Sequence, residues 1–284
     1  MNKSLQTSLP RRVALIVAVL GLGACAAIRP PAPGPSPEPL ANPQVLLLGE
    51  VHDNAQGHRA RFDDLKRRVD AGWRPVIAME QFDRENQALL GKAQRECADA
   101  DCVIRVMAAP RWDWSLYRPV IELALQYDLP LIAANLSRAD ASRTVRDGVR
   151  STFDAAAVAR YGLGAPLPAG LRAAQQSEIV TGHCNMLPES MLGGMVDAQV
   201  ARDIWMADIV RAQLPRAVVL LAGNGHVRKD IGVPYWLRLS SPQLNVRSVG
   251  YVEAAGPSGA AYDATRAVAP QQRPDPCAKA KAKS

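Results

Sequence analysis

Four short apolar runs punctuate the middle of the chain, at residues 45–48, 75–79, 129–134 and 217–222, each bounded by turn or polar residues. Continuous runs of this length predict strands buried on both faces, as in a parallel sheet. Residues 246–252 read as a fifth strand. Between the first two runs, Ala55, His58, Phe62, Leu65 and Val69 recur at helical spacing, with Arg and Asp on the opposite face. A further helix is predicted over 116–126, before the third run. Strand and helix in alternation predict an α/β fold, a mostly parallel sheet with flanking helices. From 137 to 214 the pattern is helical throughout, with a capping-box start at Ser151-x-x-Asp154, a loop "YGLGAPLPAG" and a long helix from about 188 to 213. The predicted organisation is therefore an α/β domain over 44–136 and 215–255, carrying a smaller helical insertion over 137–214.

The ends of the chain follow other rules. Lys3, Arg11 and Arg12 precede an apolar run over 13–22, followed by Leu22-Gly23-Ala24-Cys25. A basic segment, a short apolar segment and small residues before a cut site describe a secretory signal peptide over 1–24. The run is shorter than the roughly 20 apolar residues of a permanent membrane span. The ending resembles a bacterial lipobox, which makes Cys25 the lipidated first residue of the mature chain. By likeness to other lipoproteins, Ala26 after that cysteine points to the outer membrane, with the protein facing the periplasm. Residues 25–43 are a proline-rich spacer, and 256–284 a polar tail expected to be disordered.

Charge and cysteine content narrow the picture. The formal net charge is +7, but the three basic residues of the signal region and three tail lysines account for all but one of it. The remainder offers no basic surface for nucleic acid. Of five cysteines, Cys25 is assigned to lipid. Cys97 and Cys102 are close enough to pair within one loop, and Cys184 and Cys277 could then pair. Export permits both bonds, while connectivity stays open.

Ligands of open parallel sheets bind beyond the carboxyl ends of the strands, so the residues after each run are the candidates. The first run is followed by Gly49, Glu50, Val51, His52, Asp53 and Asn54, the second by Glu80 and Gln81, and the third by Asn135. The fourth is followed by Gly223, Asn224, Gly225, His226, Val227 and Arg228. The G-x-x-H junction thus occurs twice. Its glycines suit a turn with positive φ or a close backbone approach. His58 reads as a packed histidine of an apolar helix face. His183, in "TGHCNMLPES", is either a loop residue or one that faces the cleft. Gln199, Arg202 and Asp203 read as a polar tie between insertion and domain, and Trp112, Trp114 and Tyr117 as packing residues or as the wall of a site for a large flat ligand.

The segments "LLLGEVHDNAQGHRARFDDL", "VIAMEQF", "WDWSLYRPVIELA", "HCNMLPESM", "MVDAQVARDIWMA" and "LLAGNGHVRKDIGVPYWL", in order across about 44–237, resemble the ChaN-like haem-binding lipoproteins of the Tiki superfamily. The resemblance implies an exported α/β protein of haem or iron acquisition, in which two protomers enclose a pair of stacked haems. A tyrosine reaches iron and a histidine lies nearby; Tyr117 is the first candidate and Tyr235 the second. Joined to the residues at the strand ends and to His183, the candidate ligand-binding set is Glu50, His52, Asn54, Glu80, Tyr117, His183, Asn224, His226 and Arg228, with haem as the ligand that the resemblance implies and no catalytic turnover expected. The wider superfamily includes hydrolases, and carried onto this chain that alternative uses His52, His226, Glu50 and Glu80. There they would hold a divalent metal, or His52 would act as a general base oriented by a glutamate, with Glu80 beside it.

Overall fold

The computed structural model describes residues 42–107, 109–253, 259–275 and 277–278. The signal peptide, Cys25 and all but the end of the spacer lie outside the described residues. In chain order the elements are β1 (Val45–Leu48), α1 (Ala55–Asp70), β2 (Val76–Asp83), α2 (Gln87–Glu96), α3 (Ala100–Met107), α4 (Arg118–Gln126) and β3 (Leu131–Asn135). They continue with α5 (Arg138–Asp147), α6 (Ala155–Arg160), α7 (Ala169–Gly182), α8 (Glu189–Ala212), β4 (Val218–Leu221), α9 (Val233–Ser240), β5 (Val246–Glu253) and β6 (Ala264–Val268).

The sheet is parallel throughout, in the order β3-β2-β4-β1-β5-β6. Its central strands are apolar on both sides because both faces are covered. Leu46, Leu48, Ile77, Met79, Val219 and Leu221 meet side chains of α1–α4, whereas Val45, Leu47, Ala78, Val218 and Leu220 meet those of α6–α9. The predicted insertion is thus one of the two helical layers. Local signals start its helices: the Ser137 side chain accepts from the Asp140 N–H to cap α5, and Asp154 accepts from Ala157 N–H to cap α6. The start expected at Ser151 therefore falls three residues later, and Ser151 lies in a short 3-10 turn.

Three further differences have physical causes. β2 runs on to Asp83, so Glu80 and Gln81 belong to the strand rather than to the loop after it. α2, α3 and α9 were not anticipated; α3 and α9 have eight residues each, too few turns for a clear period. The tail expected to be disordered contains β6, which pairs with β5. As an edge strand it leaves Thr265, Arg266 and Ala267 exposed, so it has no apolar run to announce it. Beyond it, Arg273 is ion-paired with Asp53 and Glu253. Both cysteine pairs, Cys97–Cys102 and Cys184–Cys277, are disulfides. Among the described residues no helix is long and apolar enough to cross a membrane.

Candidate functional site

β1 and β4 are neighbours in register, Leu48 opposite Leu221, which sets the two G-x-x-H junctions side by side at one sheet edge. Neither junction glycine is among those with positive φ; the close approach is what excludes a side chain. A Cβ on Gly49 would stand 2.2 Å from Asn224 Oδ1, and one on Gly223 would stand 3.0 Å from His52 Nε2. Each junction's glycine makes room for the other junction's side chain.

Glu50 anchors the first half. It is 2% exposed. Its Oε1 accepts from the Tyr117 hydroxyl at 2.6 Å, faces His52 Nδ1 at 2.8 Å and accepts from Gln81 Nε2 at 3.2 Å. Its Oε2 is ion-paired with the buried Arg61. With both oxygens engaged, Glu50 positions neighbours and is spent as a ligand for anything else. The carboxylate draws the proton of His52 to Nδ1, leaving Nε2 as the basic atom. The Nε2–Cε1 edge of the ring lies against Gly223, and Trp112 meets the ring edge-on at 5.0 Å between centroids. His58 is the packed histidine expected: its Nε2 faces the His52 carbonyl at 3.1 Å, and burial pushes its pKa down to about 4.

The second half is built from α8 and the loop after β4. Asp203 Oδ1 lies 2.6 Å from His226 Nδ1, and Gln175 donates to Asp203 Oδ2 at 3.1 Å. His226 Nε2 lies 3.6 Å from Glu80 Oε1, while Glu80 Oε2 accepts the Gly223 N–H at 2.7 Å. Burial opposes charge on His226, but Glu80 and Asp203 on either side outweigh it and push its pKa up to about 10. Burial likewise opposes charge on Glu80, yet His226 and the Gly223 N–H hold its carboxyl well below the usual range. Burial pushes Asp203 up against the pull of His226. The proton of this cluster therefore sits on His226, as an imidazolium between two acids.

Glu80 is thus flanked by two carboxylate–imidazole pairs, Glu50–His52 and Asp203–His226. Several expected site residues do other work. Tyr117 is 0% exposed, so its hydroxyl cannot reach the iron of a bound haem, and burial pushes its pKa up, away from tyrosinate. Asn54 caps α1, accepting from the Gly57 N–H and donating to Glu253 and the Ala269 carbonyl. Asn224 spends its amide on the backbone of Tyr251, donating to its carbonyl and accepting from its N–H. Arg228 is engaged in ion pairs with Asp230 and with Glu178, the latter a lining residue of the cavity that His183 borders. Asn135 sits to one side, donating to Asp83 at 3.3 Å. His183 ends α7 and lines, with Gln175, Gln199 and Gly225, a cavity of about 230 Å³. Among the described residues no group of three or more His, Cys, Asp or Glu side chains is arranged to hold a metal ion; in the set His52, His226, Glu50 and Glu80, Glu50 is taken by Arg61 and Tyr117.

Sequence reasoning missed Arg61 and the direct role of Asp203. The signal for Arg61 was an arginine three residues after His58, on the apolar face of α1, where an unpaired cation is costly. Asp203 and Gln199, one turn apart on α8, were read as a tie between layers, and they are one, with His226 at its far end.

A family described as "Haem-binding uptake, Tiki superfamily, ChaN" matches residues 37–237. A comparison with curated proteins finds no match. Among solved structures, the chain is similar to ChaN of Campylobacter jejuni in a structure of its cofacial haem binding, at 21% identity, covering 78% of this chain and 86% of that one with a TM-score of 0.62. It is similar at greater distance to the erythromycin esterase EreC, at 17% identity, 74% and 70% coverage and a TM-score of 0.44. These are likenesses of fold.

Proposed function

Because the chain belongs to the haem-binding ChaN family of the Tiki superfamily, we propose that it binds haem or a related iron ligand and serves in its uptake. The observation that carries this reading is the continuous family match over 37–237, which contains both G-x-x-H junctions and every residue of the cluster around Glu80. The donor chemistry suits the ligand. Trp112 is a half-buried aromatic wall beside His52, and Arg111, packed over that tryptophan, is held there by its ion pair with Asp83 at 2.9 Å. Haem would supply the iron; this chain would supply the His52 imidazole, held at Nδ1 by Glu50, and the aromatic surface of Trp112.

We place the protein outside the cytoplasm, anchored through lipid on Cys25 to the outer membrane and facing the periplasm. The two disulfides support an oxidising compartment. A homodimer enclosing paired haems, as in the family's best-known arrangement, belongs to the same proposal. The test is a haemin titration of the full chain followed by visible absorption. A saturable Soret band at a fixed stoichiometry is expected; linear, non-saturating uptake overturns the reading.

A second reading rests on the two carboxylate–imidazole pairs around Glu80, the kind of constellation that performs acid–base hydrolysis. Here His52, oriented by Glu50, would take a proton, and the protonated His226 would stabilise developing negative charge.

A further inference from the structure

Around the two junctions the charged side chains pair off. Glu50 is ion-paired with Arg61, Asp83 with Arg111, and His226 lies between Glu80 and Asp203. Arg202 is left over. Gln199, Arg202 and Asp203 share one face of α8; Gln199 and Asp203 reach His226, and Arg202 ties nothing. Among the described residues no hydrogen bond or ion pair engages its guanidinium, and its Nε is buried without a partner.

An unpaired arginine on an open surface is ordinary, because water satisfies it. Arg202 is half-buried. Burial pushes its pKa down, Glu80 and Asp83 pull the other way, and Arg111 adds to the push. The guanidinium therefore stands within electrostatic reach of the acids at the carboxyl end of β2. A buried donor of a charged group is costly to leave unmade, and the planar fork of arginine matches a carboxylate. Trp112 repeats the pattern: its ring lies under Arg111 and meets His52, and its Nε1 is buried without a partner. The His52 side chain beside it is 47% exposed, so the cluster is open to solvent there. Charge balance selects the kind of anion. Glu50, Glu80, Asp83 and Asp203 are matched one for one by Arg61, Arg111, Arg202 and the His226 imidazolium. Any anion tips that balance negative, so a singly charged carboxylate is favoured over a doubly charged phosphate.

We propose that Arg202 is an anion-recognition residue of this cluster, receiving the carboxylate of a small organic acid beside Glu80, with Trp112 Nε1 as a further donor. Haem has no part in this binding. The ligand class it gives to the acid–base reading is a carboxylate-bearing substrate, and only that extension rests on the reading.

The experiment is a calorimetric titration of the full chain, without haemin, with benzoate, its neutral counterpart benzamide, and inorganic phosphate. The wild type should bind benzoate saturably, phosphate more weakly and benzamide not at all. Arg202→Gln should weaken benzoate by at least about tenfold. Arg202→Lys, a point charge without the fork, should restore only part of the loss. Arg95→Gln, which removes an exposed arginine of α2, should match the wild type. Because Arg202 holds no partner, Arg202→Gln orphans none and should melt no lower than the wild type. Absent benzoate binding, equal benzoate affinity in wild type and Arg202→Gln, or benzamide binding as tightly as benzoate, overturns the proposal. Phosphate binding more tightly than benzoate overturns the carboxylate class. Acetate release from 4-acetoxybenzoate and from its methyl ester is measured separately. Faster release from the carboxylate form, lost in Arg202→Gln, supports the extension to turnover; benzoate binding with no release overturns the acid–base reading and leaves the carboxylate site standing.

Discussion

Replacing Tyr117 by Phe tests whether this residue serves the scaffold or the ligand. The hydroxyl donates at 2.6 Å to Glu50 Oε1 in a fully buried setting. A hydrogen bond to a charged group contributes about 1.5–3 kcal/mol net. Glu50 keeps His52, Gln81 and Arg61 after the change, so the carboxylate is not orphaned and about 2 kcal/mol is the expected loss. Phenylalanine retains the ring contacts with His58, Trp112 and Trp114 and leaves no large cavity. For a domain of this size each kcal/mol moves the melting temperature by about 2–4 °C, so Tyr117→Phe should melt about 4–8 °C below the wild type in a calorimetric or circular-dichroism scan. Its haemin affinity and spectrum should be those of the wild type. An unchanged melting temperature with haem binding lost would refute the argument and return Tyr117 to the ligand set.

Two further outcomes follow from the same geometry. His226, raised from an ordinary 6.5 to about 10 by Glu80 and Asp203, adds stability that is fully present below pH 6.5 and is lost as pH rises through about 10; its upper bound is about 5 kcal/mol. Urea unfolding at pH 6 and pH 10 should show this loss in the wild type and not in His226→Gln, and equal slopes in the two proteins would contradict it. Gly49→Ala would set its Cβ 2.2 Å from Asn224 Oδ1, an atom held by the Tyr251 N–H and unable to yield. It should cost about 2–3 kcal/mol, read as a lowered urea midpoint, and a neutral result would show that the two junctions do not interlock.

What could be read along the chain was whatever depends on local periodicity and short-range spacing. The apolar runs marked β1, β3 and β4 nearly to the residue, because strands covered on both faces leave few polar positions to confuse them; β5 was marked too, although it carries the exposed Arg247 and the buried Ser248. Helix starts at Ala55 and Arg138 rest on Asn54 and Ser137, whose side chains reach backbone only three residues ahead, a local signal that went unused because Asn54 was assigned by its place after β1 to the ligand set. Even the site was visible as two G-x-x-H junctions at strand ends. The destination of each side chain was decided in three dimensions. β4 lies between β2 and β1, which brings residues some 170 positions apart into contact and gives Gly49 and Gly223 their reciprocal reason. Asp203 meets His226 because α8 packs across the sheet, and Tyr117 turns inward to Glu50, where a sequence shows only an aromatic near tryptophans. β6 and Arg61 stayed hidden for one cause: an edge strand and a buried arginine draw their stability from partners distant in sequence, β5 in one case and Glu50 in the other.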